Sequence, residues 1–183
     1  MTDTSPSAGT GTFFGLPVHH VGYAVDDLDK AILRAVNTLG AGPFFRMNDI
    51  PLAATSQGEP AMFLHSAAFG QCGSMALEFM QIKRCEPATV ADSMRQPTPG
   101  LNHIGFVAPS LTEARDELEA MGVPAFLQAR IGDIEFTMHD ARAVCGHNIE
   151  VHADNSGIRG FWQQVRDASI GWDGTEPIRS PSM

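Results

Sequence analysis

Apolar positions near the start of the chain change from a strand-like run to a helical stripe. The run from Val18 to Val25 is rich in β-branched residues and is followed by Asp26 and Asp27, which is typical of a strand and its end. From Leu28 to Leu39, apolar residues recur at intervals of three and four, which predicts one buried face of a helix. Asp26 or Asp27 is suited to cap the start of this helix, and Gly40 to end it.

The same succession of elements returns later in the chain. Leu101 to Ala108 repeats the strand, and the Ser-x-x-Glu sequence that begins at Ser110 is a capping box for a second helix, which Gly122 ends. The sequence His20-Val-Gly-Tyr-Ala matches His103-Ile-Gly-Phe-Val. We therefore interpret the chain as an internal duplication.

Each half of the chain carries further strand-like segments. Leu77-Glu78-Phe79 matches Ile149-Glu150-Val151 late in each half, and extended stretches at 62–66 and 134–140 precede them. Each half thus follows the order strand, helix, strand, strand, strand, which is one βαβββ module used twice. The predicted divisions are a flexible N-terminal tail at 1–16, module one at about 17–85, a linker at 86–100 with one helical turn, module two at about 101–155, and a C-terminal helix and loosely packed extension at 156–183.

Two histidines and two glutamates occupy equivalent places in the two modules, namely His20, Glu78, His103 and Glu150. Because successive strand residues face opposite sides, the apolar neighbours of each glutamate are expected to face the helices and the carboxylates to face the concavity. A carboxylate in an apolar strand is costly unless it is paired or bound to metal. Two imidazoles and two carboxylates suit one divalent ion per chain, without distinguishing Zn, Ni, Co, Mn and Fe.

Four of the remaining histidines lie near this pattern. His19 is expected to point to the opposite side of its strand and to be structural. His65 and His139 occupy corresponding penultimate strands, and His152 has the same strand parity as Glu150. We consider His65, His139 and His152 as substrate-binding residues or bases, with polar wall residues of no catalytic duty as the alternative.

Composition narrows the range of partners. The 183 residues carry 21 Asp and Glu against 12 Lys and Arg, a formal net charge of −9. This charge argues against binding to nucleic acid or to an anionic membrane surface. No apolar run approaches the ~18–20 residues of a membrane helix, and the N-terminus lacks the pattern of a signal peptide. Three cysteines without CxxC spacing are typical of reduced thiols, so we expect a cytoplasmic protein.

The strands that carry the four candidate ligands resemble those of the vicinal oxygen chelate superfamily. The similarity lies in His20-Val-Gly-Tyr-Ala-Val-Asp-Asp-Leu-Asp, His103-Ile-Gly-Phe-Val-Ala-Pro-Ser-Leu, Ala76-Leu-Glu78-Phe and Gly146-His-Asn-Ile-Glu150. The superfamily includes glyoxalase I, methylmalonyl-CoA epimerase, extradiol dioxygenases and the bleomycin and fosfomycin resistance proteins. The resemblance spans residues 18–153. It implies an α+β fold, in which two tandem βαβββ modules form an open, cup-shaped mixed sheet around one metal site.

The resemblance and the ligand set predict an isomerase or lyase of glyoxalase or epimerase type. It would act on a small carbonyl or thioester substrate through a metal-stabilised enolate. Glu150 is expected to be ligand and catalytic base together, with Glu78 as the symmetric alternative. Epimerase relatives carry an additional glutamate base upstream of the first module's last strand. Here that segment offers only Glu59, in a turn, which argues against methylmalonyl-CoA epimerase activity.

Two other functions are alternatives to the isomerase or lyase, and a homodimer is the expected assembly. A ring-cleaving dioxygenase of the extradiol type would use two histidines and one glutamate, and a fourth ligand at Glu78 would fill a position that it needs open. A non-catalytic binding or resistance protein would hold a small molecule in the cup. A homodimer is expected because the superfamily often assembles across a two-fold axis, and because Phe161 and Trp162 share an apolar helix face.

Overall fold

The computed structural model describes residues 15–181, so most of the predicted flexible tail lies outside the described residues. Leu16, at the end of that tail, packs against the core of the second module. The strands are β1 (His20–Ala24), β2 (Phe44–Met47), β3 (Ala53–Ser56), β4 (Glu59–Cys72), β5 (Met75–Glu86), β6 (Gly100–Ala108), β7 (Ala125–Ile131), β8 (Ile134–His139), β9 (Asn148–Ala153) and β10 (Ile178–Arg179). The helices are α1 (Leu28–Leu39), α2 (Ala88–Met94), α3 (Leu111–Ala120), α4 (Arg142–Cys145) and α5 (Ser156–Ser169).

The helix ends follow the capping residues of the sequence. The Asp27 side chain accepts a hydrogen bond from the backbone N–H of Lys30 at the start of α1, and Gly40 ends that helix with a φ of 63°. The Ser110 side chain accepts from the backbone N–H of Glu113 at the start of α3. Both helices are thus confirmed. The boundaries of α1 are those that the sequence predicts, whereas α3 begins at the predicted residue but ends at Ala120, two residues before Gly122.

The sheet joins the two modules through their first strands. β1 runs parallel to β5 within its own module and antiparallel to β6 of the other module, and β6 runs parallel to β9. The order is β10-β2-β4-β3-β7-β8-β9-β6-β1-β5, with a further pairing between β4 and β5. The predicted α+β fold of two modules around a curved mixed sheet is confirmed.

An additional strand closes the wall of the cup. β3, which the sequence analysis did not predict, forms a hairpin with β4 and pairs with β7 of the second module. Its two-residue turn has φ values of 52° at Gln57 and 83° at Gly58. Two successive positive φ values are typical of a type I′ hairpin turn, in which glycine is favoured. With the β4–β5 pairing, eight strands complete a ring.

The two faces of the sheet are divided as strand alternation predicts. Leu77 and Phe79 of β5 pack in the core beneath α1, and Ile149 and Val151 of β9 pack beneath α3. The residue between each of these pairs therefore points to the inside of the ring.

The C-terminal extension is held more firmly than the sequence predicts. Ile158, Trp162 and Val165 of α5 are buried against the sheet of the same chain. The following segment is not loosely packed throughout, because β10 pairs in parallel with β2. The apolar face of α5 is thus already covered within one chain and gives no support for a dimer interface. The homodimer stays a prediction that rests on the family resemblance.

No helix between residues 15 and 181 has the length and apolar character needed to cross a bilayer.

Candidate metal centre

Four strands bring the four candidate ligands together inside the ring. His20 of β1 and His103 of β6 lie on two adjacent strands. The strands on either side of this pair carry Glu78 (β5) and Glu150 (β9). One ligand atom from each residue lies within 4.8 Å of every other. His20 Nε2 is 3.2 Å from His103 Nε2 and 2.9 Å from Glu150 Oε2, and His103 Nε2 is 3.4 Å from Glu78 Oε2. The structure therefore assembles the predicted set.

These separations match those expected around one ion. Ligand atoms about 2.1 Å from a metal and at right angles to one another lie about 3 Å apart. The longer separations in the cluster are 3.5 Å from His103 Nε2 to Glu150 Oε2 and 3.7 Å from His20 Nε2 to Glu78 Oε2. The separations between the histidine nitrogens and their neighbours in the cluster thus range from 2.9 to 3.7 Å, close to the value that such an ion requires.

Two glycines make room for the two histidine rings. In the antiparallel β1–β6 pair, His20 stands opposite Gly105 and Gly22 stands opposite His103. A Cβ atom at Gly22 would lie 2.1 Å from Cε1 of His103, and one at Gly105 would lie 1.9 Å from Cε1 of His20. Each ring thus occupies the space above the partner strand's glycine. The repeated His-x-Gly sequence is the feature of the sequence that indicates this packing. In the sequence analysis it served only to align the two modules.

Neighbouring polar groups orient the rings. Nδ1 of His103 lies 3.2 Å from Oδ1 of Asn102, and the Asn102 amide nitrogen donates to the carbonyl of Met94. Asn102 Oδ1 therefore accepts the proton of Nδ1, which leaves Nε2 of His103 free to bind a metal ion. No sequence pattern marked Asn102 for this position.

The side chain of His19 lies on the same side of the chain as His20, and not on the opposite side as predicted. Its Nδ1 is 3.2 Å from Nδ1 of His20, and its ring centroid is 5.0 Å from that of Trp162. The prediction that His19 points away from the site is wrong. Strand alternation applies only within a strand, and β1 begins at His20, one residue later.

The charges of the cluster also fit a cation. Glu78 and Glu150 are 5% and 6% exposed, and among residues 15–181 their ion pairs are with histidines alone. Buried carboxylates are costly without a positive partner. The donor atoms, their burial and their convergence therefore satisfy what a divalent ion needs, although assignment of the four residues as its ligands remains a prediction.

The pKa directions show how burial and neighbouring charges oppose one another at these groups. Burial opposes the charged form of Glu150, but the charges of His152 and His103 and hydrogen bonds from His152 and His20 outweigh it and hold the pKa well below its usual value. Burial lowers the pKa of His20 despite its hydrogen bond to Glu150. Burial acts in the same direction on His103, but the Glu150 and Glu78 carboxylates overcome it and raise the pKa.

A cavity of about 270 Å³ extends from the cluster into the ring. Glu78 and Glu150 lie in its wall, and most of the other lining side chains are aliphatic or aromatic. Two of the three histidines predicted to contact substrate also line it. His152 Nε2 is 2.9 Å from Glu150 Oε2, and the His65 ring stacks on Phe63 with 4.1 Å between centroids.

The third histidine of that prediction lies elsewhere. His139 is fully buried, with Nδ1 2.9 Å from the Val123 carbonyl oxygen and Nε2 3.0 Å from Oγ1 of Thr137. It stands opposite Ile149 in the β8–β9 pair, on the face covered by α3. The prediction that His139 contacts substrate is therefore wrong, because its ring faces away from the cavity.

Comparison with known proteins places these features in a family. The family model described as the Glyoxalase/Bleomycin resistance protein/Dioxygenase superfamily matches residues 19–138. A comparison with the curated proteins found no match.

Several solved structures share the fold. Methylmalonyl-CoA epimerase from Streptomyces coelicolor, in complex with 2-nitronate-propionyl-CoA, has 16% identity and a TM-score of 0.53 over 77% of this chain and 99% of that one. The Mycobacterium tuberculosis methylmalonyl-CoA epimerase has 21% identity and a TM-score of 0.53 over 78% and 91%. A hypothetical protein from Bacillus halodurans has 21% identity and a TM-score of 0.53 over 76% and 95%. At these identities, the likeness establishes the fold and leaves the reaction open.

Proposed function

This chain belongs to the glyoxalase/bleomycin resistance protein/dioxygenase superfamily, and from that premise we propose that it is a divalent-metal-dependent isomerase or lyase. Its substrate would be a small carbonyl compound that loses a proton next to the carbonyl group. One observation carries this proposal: two histidines and two glutamates converge within 4.8 Å at the wall of an apolar cavity. We take His20, Glu78, His103 and Glu150 as the ligands of one ion.

The chemistry follows from this arrangement. When bound, a divalent ion supplies a Lewis acid for the negative charge that develops on a carbonyl oxygen. Glu150 accepts the proton from the adjacent carbon, since its carboxylate lies in the cavity wall. His152 holds that carboxylate in place by donating from Nε2 to Oε2 at 2.9 Å. Glu78, on the symmetric strand, is the alternative base.

The surroundings of the site support proton transfer over hydrolysis. The aliphatic and aromatic walls keep water away from the reacting carbon, and charge interactions are stronger in such a setting. Four candidate protein ligands also leave two positions of an octahedral ion, which suits two substrate oxygens. A ring-cleaving dioxygenase needs a third open position, so the proximity of Glu78 Oε2 to both histidines favours the isomerase or lyase.

The first test measures metal and proton exchange together. Protein purified without chelator is expected to contain about one divalent ion per chain by elemental analysis. A panel of 2-oxo aldehydes, thioesters and catechols then identifies a compound that the protein turns over, and solvent deuterium is expected to enter its α-carbon.

Glu150→Gln is the informative variant, because it keeps the shape and one oxygen donor of the side chain but removes its charge. Turnover is expected to fall by at least ~10²-fold while metal is weakened and not lost. Glu59→Gln is the matched control: Glu59 is exposed at the start of β4 and lies outside the cavity wall. If deuterium exchange in Glu150→Gln continues at the wild-type rate with metal retained, Glu150 is not the base. Absence of metal from the wild-type protein even after incubation with divalent ions would refute the proposed function.

A further inference from the structure

We infer that the cavity accepts a compact, uncharged and largely apolar substrate whose oxygens lie at one end, and that Trp162 limits its length. This inference rests on the proposed function, because it places the substrate oxygens at the four-residue cluster. It goes further by naming the class of compound. The two epimerases compared above, in contrast, are named for a coenzyme A ester.

The charge of the cavity wall favours an uncharged substrate. Among residues 15–181, the ionisable side chains that line the cavity are Glu78, Glu150, His65 and His152, with no lysine or arginine. The two carboxylates already balance a divalent ion. A carboxylate or phosphate on the substrate would therefore be buried without a positive partner, which is costly. An uncharged substrate avoids this cost.

The size of the cavity favours a compact substrate. Its volume of about 270 Å³ compares with ~150 Å³ for an apolar cavity that holds benzene and with ~300 Å³ at the lower limit for drug-sized ligands. One ring with a side chain of about two or three heavy atoms fits this space. Phe63, Met80 and Phe136 provide apolar surface for such a ring.

Three residues that line the cavity each carry an unpartnered polar atom. Nδ1 of His65, Nδ1 of His152 and Nε1 of Trp162 are buried and have no hydrogen-bond partner among the described residues. Buried polar atoms are seldom left in this state. A substrate hydroxyl or carbonyl group could satisfy one of them, so a neutral compound that also carries a hydrogen-bonding oxygen fits better than a hydrocarbon.

Trp162 lies between the inner cavity and a groove on the outside of the ring. Together with Ile158 it lines both the inner cavity and an outer groove of about 280 Å³, which also contains His19, Arg159 and Arg166. Its ring stacks on His20, with 5.1 Å between centroids and 29° between planes. Truncation of this indole would join the cavity to a groove that contains cations. Trp162 therefore determines both the length and the charge of what the site accepts.

The test compares three probes that differ in charge and length. 2-Hydroxyacetophenone is neutral with adjacent oxygens, phenylglyoxylate is an anion with the same ring, and methylmalonyl-CoA is long and polyanionic. We expect calorimetry on the metal-loaded protein to show binding of the neutral ketone. Phenylglyoxylate is expected to bind at least ~10-fold more weakly, and the thioester not measurably. Tighter binding of either anion than of the neutral ketone, or no binding of the ketone to metal-loaded protein, would overturn the inference.

A variant at Trp162 tests the length limit. Trp162→Ala is expected to bind 2-hydroxy-1-(4-biphenylyl)ethanone at least ~10-fold more tightly than the wild-type protein does, because the second ring can enter the outer groove. Asp167→Ala is the control, since Asp167 lies on the same helix, is exposed, and lines neither the inner cavity nor the outer groove. Trp162→Phe, which retains a ring next to His20, replaces the alanine variant if the latter loses metal. Unchanged affinity for the long ketone in a metal-loaded variant would contradict the role of Trp162.

Metal content is measured for every sample before ligand is added, which separates the two hypotheses. A wild-type protein that takes up no metal refutes the proposed function. A protein that holds metal and prefers an anion or a long thioester overturns only the substrate class.

Discussion

Substitution of Gly22 by alanine is expected to disrupt the candidate metal centre while adding only one methyl group. Gly22 stands opposite His103 across the β1–β6 pair. A Cβ atom there would lie 2.1, 2.4 and 2.6 Å from Cε1, Nε2 and Nδ1 of His103. Because ordinary contacts of this kind begin at about 3.4 Å, the ring would have to retreat by at least about 1 Å. Its neighbours leave little room, since His103 is fully buried.

The magnitude follows from the opposing effects of the new methyl group. In an ordinary strand, replacing glycine with alanine stabilises by about 0.5–1 kcal/mol through reduced backbone entropy. Overpacking of a close-packed interior costs about 1–3 kcal/mol, so we expect a net loss of unfolding free energy. Changes to the groups that orient a metal ligand typically cost about 10–100-fold in metal affinity, and we expect a loss of about 10²-fold because the ring itself is displaced.

The assay is competition with a chelator of known affinity, combined with thermal unfolding of the metal-free protein. Gly105→Ala tests the other half of the site, because a Cβ there would lie 1.9 Å from Cε1 of His20. Gly160→Ala is the matched control: nothing lies within 4 Å of a Cβ at this position of α5. It is expected to stabilise the protein by up to about 1 kcal/mol and to leave metal affinity unchanged. Wild-type metal affinity in both Gly22→Ala and Gly105→Ala would refute the assignment of the histidines as ligands.

Two further predictions concern stability. Removal of metal with a chelator is expected to lower Tm, because Glu78 and Glu150 then lose their buried counter-charge. Re-addition of a divalent ion at 100 times its Kd should restore about 2.7 kcal/mol of unfolding free energy. A Tm that does not respond to the ion in differential scanning calorimetry would contradict a tight metal site. Ser110→Ala is expected to lower the unfolding free energy by about 1 kcal/mol in urea titrations, because its side chain accepts from the Glu113 backbone N–H at the start of α3. Metal affinity should not change in this variant, and an unaltered urea midpoint would show that the cap contributes nothing.

Local sequence pattern was sufficient to predict those parts of the fold that depend on residues close together in the chain. The boundaries of α1 and α3 follow from their caps and apolar stripes, which act within a few residues. The position of Glu78 and Glu150 inside the ring follows from strand alternation, since their apolar neighbours had to face the helices. The duplication then predicted that equivalent residues of the two modules would meet around one centre.

Pairing between distant strands decided which histidines face the inside of the ring, which strand alternation alone does not determine. His65 and His139 occupy corresponding strands, yet they face opposite sides. His65 stands opposite Ile82, which lies four residues from Glu78 and on the same face of β5. His139 stands opposite Ile149, which is adjacent to Glu150 and therefore on the other face of β9. One residue of register reverses the side to which a side chain points, and register is set by the partner strand.

Sequence pattern was thus enough to predict the two modules, the helix starts and the four residues that converge. Only the tertiary structure placed Gly22 beneath the His103 ring, because that contact needs the antiparallel register of β1 and β6. It also brought Trp162 against His20, across more than a hundred residues of chain. A helical stripe shows that α5 has an apolar face but does not identify the surface that it covers. That surface is selected by the free energy of burying apolar area in the folded chain, which no local pattern records.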